Sequence, residues 1–381
     1  MELGFLAPLF TRLGPWASVY IDTTRATEDG RKIQELRERA VAAQLIDAGA
    51  DGYTTRAVID RLSHEPVSGA PPGRAVFAAG AEVVLDVPLT VSPPSILATW
   101  STLPHVAPLA QYLGEEPCCL VAYIDRTGAD LEVRDGTGRA RLGEAHGREW
   151  QSRGHRSIPE DRYEWHYRHR VENAWEATAE AIAAEIERAW PESGADLLVL
   201  TGDTRERRAV LQRLSEQLRT AAVEIAGSRA AGGSRDALEQ QLAEVRQRYA
   251  RERVDQALER FRRGRGKPGE HRVTTVDTGP GEAAEGMPAV VDAARNHQVA
   301  TLLLTPDAAD TARELWIGPG PDDVAVRRDE ARAMGIEHPE QARADDALLR
   351  AAAAAGGEVL VVPSGQAGPA GGLGAVLRWT M

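Results

Sequence analysis

A chain of 381 residues exceeds one ordinary core and is expected to form two or three domains. Its 43% hydrophobic and 27% charged residues exclude a disordered chain; no apolar run reaches membrane-spanning length, and Glu2 with no basic leader argues against a signal peptide. A net charge of −12 excludes coating nucleic acid by bulk electrostatics, so any RNA contact must come from a local patch.

The first segment reads as strand, helix and further strands. Ala17–Asp22 is a short apolar strand, and a helix follows over Arg31–Ile46 with Ile33, Leu36, Ala40 and Ala43 on its apolar stripe. Pro66–Gly73 make a loop, and GRAVFAAG and AEVVLDVPL give two strands, the second closing around Pro88. Val91–Pro94 and the turn near Gly114–Pro117 set a first boundary, so residues 1–116 form an N-terminal α/β domain. The middle domain, 117–264, opens with Cys118–Asp125, an apolar run of the kind buried strands show. The adjacent cysteines lack C-x-x-C spacing and are expected to fill that strand. The absence of a disulfide framework suits a reducing, cytoplasmic setting.

Ala129–Arg134 gives a second strand, followed by a polar loop and a long helix from Ile158 to Trp190. Ser157 and Glu160 form its S-x-x-E capping box, Pro159 sits in the first turn, and Tyr163, Tyr167, Val171, Trp175, Ala179, Ile182 and Ile186 form its apolar stripe. Asp196–Leu200 is the next strand, Arg205–Arg219 a helix, and Ser234–Arg263 a charged helix packing through Leu238, Leu242, Val245, Tyr249, Val254, Leu258 and Phe261. Arg262–Gly269 reads as a flexible basic hinge. The last domain, 270–381, alternates helix 287–297, strand 300–305, helices 308–315 and 345–355, and strands 358–363 and 375–379, an α/β sandwich.

The chemistry concentrates in His146–Arg170, HGREWQSRGHRSIPEDRYEWHYRHR, which holds six arginines against four acids and four of the nine histidines. Arginine pairs bidentately with phosphate and stacks on bases, and aromatics supply stacking platforms for unpaired nucleotides. The candidate RNA-binding set is Gly147, Arg148, Glu149, Trp150, Gln151, Ser152, Arg153, His155, Arg156, His166, His169 and Arg170. A charge-rich helix face is also what plain solvation produces, and Tyr163 and Tyr167 lie on the core stripe, so composition leaves both readings open. His166-x-x-His169 has no carboxylate or cysteine completing a metal set, and neither H-E-x-x-H, a phosphate loop nor a G-x-S-x-G elbow occurs. No metal and no cofactor are therefore expected.

Gly147–Ser152, GREWQS, lies between a hairpin and a long helix and resembles the GRGGQS loop of archaeal and eukaryotic class I peptide-chain release factors. Over most of residues 117–381, and least over 1–116, the chain resembles the bacterial release-factor-like group related to Pelota, which includes ribosome hibernation factors of the Balon type. The resemblance implies a decoding-like first domain, a ribonuclease-H-like middle domain carrying loop 146–156, and a C-terminal fold like kink-turn-binding ribosomal proteins. It implies a ribosomal partner, with contacts to ribosomal RNA in the aminoacyl (A) site and peptidyl-transferase centre, and a translational GTPase such as elongation factor Tu. Membrane and DNA are not implied partners.

Glu149 and Trp150 replace the two glycines that let the family's backbone enter the peptidyl-transferase centre, while Gln151 keeps the glutamine position. Glycine tolerates close approach that other residues resist. The expectation is a factor that occupies idle ribosomes without releasing peptide. The alternative is a peptidyl-tRNA hydrolase or rescue factor using Gln151.

Overall fold

The computed structural model describes residues 1, 3–12, 14–24, 30–64, 72–113, 117–135, 138–146, 160–227, 235–265 and 282–379. The α/β class is borne out, with several separate sheets. The chain divides into two compact units, one combining Met1–Glu115 with Arg251–Met381 and the other comprising Glu116–Ala250.

In the first unit, β1 (Trp16–Asp22), β2 (Gly73–Ala79), β3 (Glu82–Leu89) and β4 (Leu97–Ser101) form an antiparallel sheet in the order β3-β2-β1-β4. Successive strand side chains point to opposite faces, and both faces of β1 are covered. Ala17, Val19 and Ile21 meet Val41 and Leu45 of α1 (Gly30–Asp47) and Val58 and Leu62 of α2 (Gly52–Ser63). Trp16 and Tyr20 enter another core, with α3 (Ala107–Leu113) and residues from the last third of the chain. The predicted α1 stripe needs correction. Gln34, Val41 and Leu45 are the buried residues, whereas Ile33 and Leu36 are 38% and 61% exposed.

The second unit is built on β5 (Cys119–Asp125), β6 (Gly128–Asp135), β7 (Gly138–His146), β8 (Leu197–Gly202) and β9 (Ala222–Ala226), ordered β7-β6-β5-β8-β9. Strands β5, β8 and β9 are parallel, and β6 runs antiparallel to both β5 and β7. Alternation again gives two cores. Leu120, Ala122, Ile124, Leu198 and Leu200 face α4 (Glu160–Ser193), through Ala179, Ile182 and Ile186, and α5 (Thr204–Leu211), through Val210. Cys119, Val121, Tyr123, Leu197 and Val199 face Leu242 and Val245 of the helix that closes the unit. The segment expected as a polar loop after β6 is strand β7. The helix expected over Arg205–Arg219 is two helices, α5 and α6 (Glu216–Ala221), with Ser215 capping the second through the Leu218 amide.

Helix α7 (Arg235–Gly264) carries the predicted apolar spacing, with Leu242, Val245, Val254, Leu258 and Phe261 all buried. Arg262 and Arg263 lie within it, so the first part of the expected hinge is helical, and residues 266–269 lie outside the described residues.

The rest of the first unit comprises β10 (Ala283–Glu285), α8 (Met287–Arg295), β11 (Val299–Leu304), β12 (Glu314–Ile317), β13 (Val324–Ala325), α9 (Arg328–Ala333), β14 (Glu340–Arg343), α10 (Ala344–Ala354), β15 (Glu358–Val361) and β16 (Leu373–Leu377). They form two sheets, β10-β16-β11-β15 and β13-β12-β14. The helix expected over Ala308–Leu315 is replaced by turns leading into β12, whose Leu315 and Ile317 are buried against the main core. Alternation of exposed and buried side chains there, Glu314 out and Leu315 in, outweighs the helical reading. Among the described residues no helix is long and apolar enough to cross a membrane.

Candidate functional site

Two described elements flank the segment that holds most of the candidate residues. Strand β7 ends at His146, which pairs with Gly128 at the start of β6, and α4 begins at Glu160. Gly147, Arg148, Glu149, Trp150, Gln151, Ser152, Arg153, His155 and Arg156 fall between these points and lie outside the described residues, as does the Ser157 cap. His166, His169 and Arg170 lie on the backbone of α4.

The anchoring of that frame is visible. A Cβ on Gly143 would approach Glu185 Oε1 to 2.6 Å, so β7 lies tightly against α4. Arg188 donates to Glu185 at 2.6 Å, which holds that carboxyl below its ordinary range. Burial of Ile182 and Ile186 on α4 contributes about 1.5–3 kcal/mol per side chain before conformational entropy is counted.

His146 ends β7 at the end of the sheet where the parallel strands β5 and β8 finish. In open α/β sheets this carboxyl end is where ligand-facing groups collect. At that rim Asp125 accepts hydrogen bonds from the Thr127 amide at 2.7 Å and the Gly128 amide at 3.0 Å. Asp203 caps α5 through the Arg205 amide at 2.9 Å, and Arg126, 89% exposed at its side chain, pairs with Glu206. Gly202 has φ +150°, and a Cβ there would come within 2.3 Å of the Ile124 carbonyl oxygen. Arg207 is buried, and its guanidinium donates to the carbonyls of Gly202 and Ile225. The rim therefore carries hydrogen-bonded turns, a capped helix start and both signs of charge.

The opposite face of the sheet holds a buried polar group. Arg134 pairs with Glu239 of α7 at 2.9 Å and with Glu132 at 3.1 Å, and it also donates to the Tyr123 hydroxyl. Burial, opposed by Arg134 and reinforced by Glu132, pushes the Tyr123 phenol up to about 12, so it remains a proton donor at neutral pH. Cys119 is buried, and burial pushes its thiol up, opposite to what a nucleophile or metal ligand needs. The expectation that the cysteine pair fills a strand is met, since Cys119 is wholly buried within β5. A groove of about 270 Å³ at the β9 edge, lined by Glu224, Gln241, Glu244 and Arg248 among others, lies at the sheet edge opposite β7.

One cluster in the first unit had no sequence signal. His105, Asp345 and Asp346 bring ligand-type atoms within 4.8 Å of one another. Their oxygens are engaged by protein donors: Asp346 accepts from the amides of Val106 and Ala107 and from the His105 ring, and Asp345 from Arg343. The set therefore reads as an ion-pair network. His105 lies about 240 positions from Asp346 in the chain, so local spacing could not bring it to notice.

Comparison with known proteins bears on the middle of the chain. Residues 118–267 match the family described as bacterial archaeo-eukaryotic release factor family 2. Two uncharacterized proteins of Mycobacterium tuberculosis, from strains CDC 1551 and H37Rv, are each 27% identical over 383 residues, 96% of this chain and 94% of theirs. Among solved structures, the archaeal translation termination factor aRF1 is 16% identical with a TM-score of 0.24, covering 98% of this chain and 96% of that one. Pelota of Archaeoglobus fulgidus is 15% identical, TM-score 0.31, covering 81% and 80%. S. cerevisiae Dom34, a translation termination-like factor, is 10% identical, TM-score 0.38, covering 81% of each chain. The middle segment is release-factor-like.

Proposed function

From this release-factor-like middle segment, we propose that the protein is a ribosome-binding translation factor that occupies the A site of idle ribosomes as a hibernation factor. The observation that carries the reading is the loop Gly147–Ser152, in a segment matched to a release-factor family. It keeps the flanking Gly147, Arg148 and Ser152 but replaces the two glycines by Glu149 and Trp150. Release chemistry needs a backbone that slides close to RNA, which glycine permits and an indole and a carboxylate obstruct. Glu149 would also meet phosphate repulsion.

Arg148, Arg153 and Arg156 supply phosphate pairing, and Trp150 and His155 supply stacking surfaces. His166, His169 and Arg170 would extend the contact along α4. On this reading residues 1–116 form a decoding-like domain, 117–264 a ribonuclease-H-like, loop-bearing domain, and 270–381 a domain that contacts a translational GTPase such as elongation factor Tu. The protein would act in the cytoplasm, where idle ribosomes accumulate under stress.

Sedimentation of purified protein with vacant ribosomes through a sucrose cushion tests the reading. The protein is expected in the pellet, with Arg148→Ala and Trp150→Ala each weakening recovery and added salt lowering it further. Recovery only in the supernatant overturns ribosome binding. Retention of Gln151 favours a second reading, a peptidyl-tRNA hydrolase in which Gln151 orients the attacking water. Peptide release from stalled complexes that Gln151→Ala abolishes would establish that second reading in place of the first.

A further inference from the structure

The first unit combines residues 1–115 with residues 251–381, and a cluster of enclosed charged groups lies where these two segments meet. Asp346, 2% exposed in the first turn of α10, accepts hydrogen bonds from the amides of Val106 (2.8 Å) and Ala107 (3.1 Å) at the start of α3. Its other oxygen meets His105 Nδ1 at 2.8 Å. Asp345, 3% exposed, is bound by the Arg343 guanidinium at 2.7 and 3.1 Å. Backbone ties hold His105 itself: its amide donates to Ser18 Oγ at 2.9 Å, and its carbonyl accepts from the Tyr20 hydroxyl at 2.7 Å.

We propose that His105, Arg343, Asp345 and Asp346 form a proton-held clasp, fastening the N-terminal segment to the start of α10 more firmly in mildly acidic than in alkaline solution. With His105 charged, two cations meet two carboxylates and the buried group is neutral. When His105 loses its proton, Arg343 alone faces both carboxylates, and a net negative charge is left away from water. The other titratable groups acting on the cluster are Tyr20 from β1, Tyr112 from α3 and Asp307 from the turn after β11; none adds a cation.

Both titrations point the same way. Burial opposes the charged imidazole, but Asp346 outweighs it and raises His105 above its ordinary value. A group raised on folding stabilises the fold below its unfolded value, and that contribution is lost as pH rises through the folded one. Burial, then the neighbouring Asp346, raises Asp345 to about 6, so its carboxyl also binds its proton more tightly in the folded chain. The clasp accordingly weakens as pH rises from about 4 through 6 and onward through the raised histidine value.

Hydrogen exchange of the full-length chain, followed by mass spectrometry in peptides containing Val106 and Ala107, reads the clasp directly. After correction for intrinsic exchange, their opening is expected to rise about tenfold from pH 6 to pH 8, the change linked to one proton over one pH unit. His105→Gln is expected to flatten that ratio to within about twofold. Should His105→Gln not fold, exchange of the imidazole C2 hydrogen in the wild-type chain reports the same titration, expected above the ordinary histidine range. An equal pH response in wild type and His105→Gln, or a His105 that titrates below that range, overturns the proposal. Closure of the same amides by added Zn²⁺ at pH 8 overturns it too, replacing the proton by a metal ion.

Discussion

At the scale of single residues, charge in this protein is held by unequal partnerships. Asp86 on β3 receives Arg74 at 2.5 and 2.7 Å and Arg61 at 2.6 Å, one carboxylate under two guanidinium groups. Arg74 is 2% exposed, with the His64 carbonyl as a further acceptor. Asp86→Ala would strand a buried cation, so a loss of about 3–5 kcal/mol is expected, measured as a lowered denaturation midpoint with unchanged slope. Arg350 shows the same economy. Burial lowers it to about 10, leaving it charged at neutral pH, and it donates to the carbonyls of Gly318 and Gly320. None of these partners is adjacent in sequence, which is why composition located a basic, aromatic stretch at 146–170 but not His105 with Asp346. Periodicity and motif matching see neighbours; a pair closed by the fold leaves no local trace.

At the scale of elements, α2 has a built start. The Asp51 carboxylate accepts from the amides of Tyr53 (3.0 Å) and Thr54 (2.9 Å), and these bonds, Thr54 first, hold its carboxyl below the ordinary value. Asp51→Ala is expected to cost about 1 kcal/mol, read as a small fall in thermal midpoint. Because the folded value is depressed, the wild-type advantage is present above the unfolded carboxylate range and disappears as pH falls through the folded one. Elements with long apolar stripes were legible in advance, among them β5, α7, α8 and α10, and the strand–turn–strand of β5 and β6. Those missed are short or contradicted by local pattern. β7 reads GRARLGEAH, with little apolar character, yet sheet pairing to β6 makes it a strand. In α1, Ile33 and Leu36 advertise a face that packing does not use, while Gln34 is buried. Tertiary contact overrode hydrophobicity there. For the candidate site, Glu149, Trp150 and Gln151 are legible in the sequence because they are contiguous, and the structure adds that β7 ends at His146 and α4 begins at Glu160.

At the scale of the whole molecule, the two units differ in how the chain builds them. Glu116–Ala250 is one continuous stretch with a sheet covered on both faces by its own helices. A fragment of residues 117–250 is expected to unfold cooperatively on its own, whereas a fragment of residues 1–115 is expected to lack a sharp transition. The reason is shared burial: Leu3, Leu6, Leu9, Trp16 and Tyr20 complete their core with Val290, Leu302 and Leu348. Far- and near-ultraviolet circular dichroism on heating distinguishes the outcomes, and a sharp melt of 1–115 would contradict the shared core.

That shared core has a consequence for the chain's own synthesis. A strand that contributes to it, β16, lies at Leu373–Leu377, so the opening segment waits until synthesis has passed that point. At roughly 5–20 residues per second, the interval after residue 115 emerges is on the order of ten to fifty seconds. Throughout it, one face of β1 and β2, with Trp16 and Phe77 on it, lacks the part of its cover that Val290, Leu302 and Leu348 supply. Slow codons or a holding chaperone would act on this nascent face, while the middle unit closes on schedule behind it.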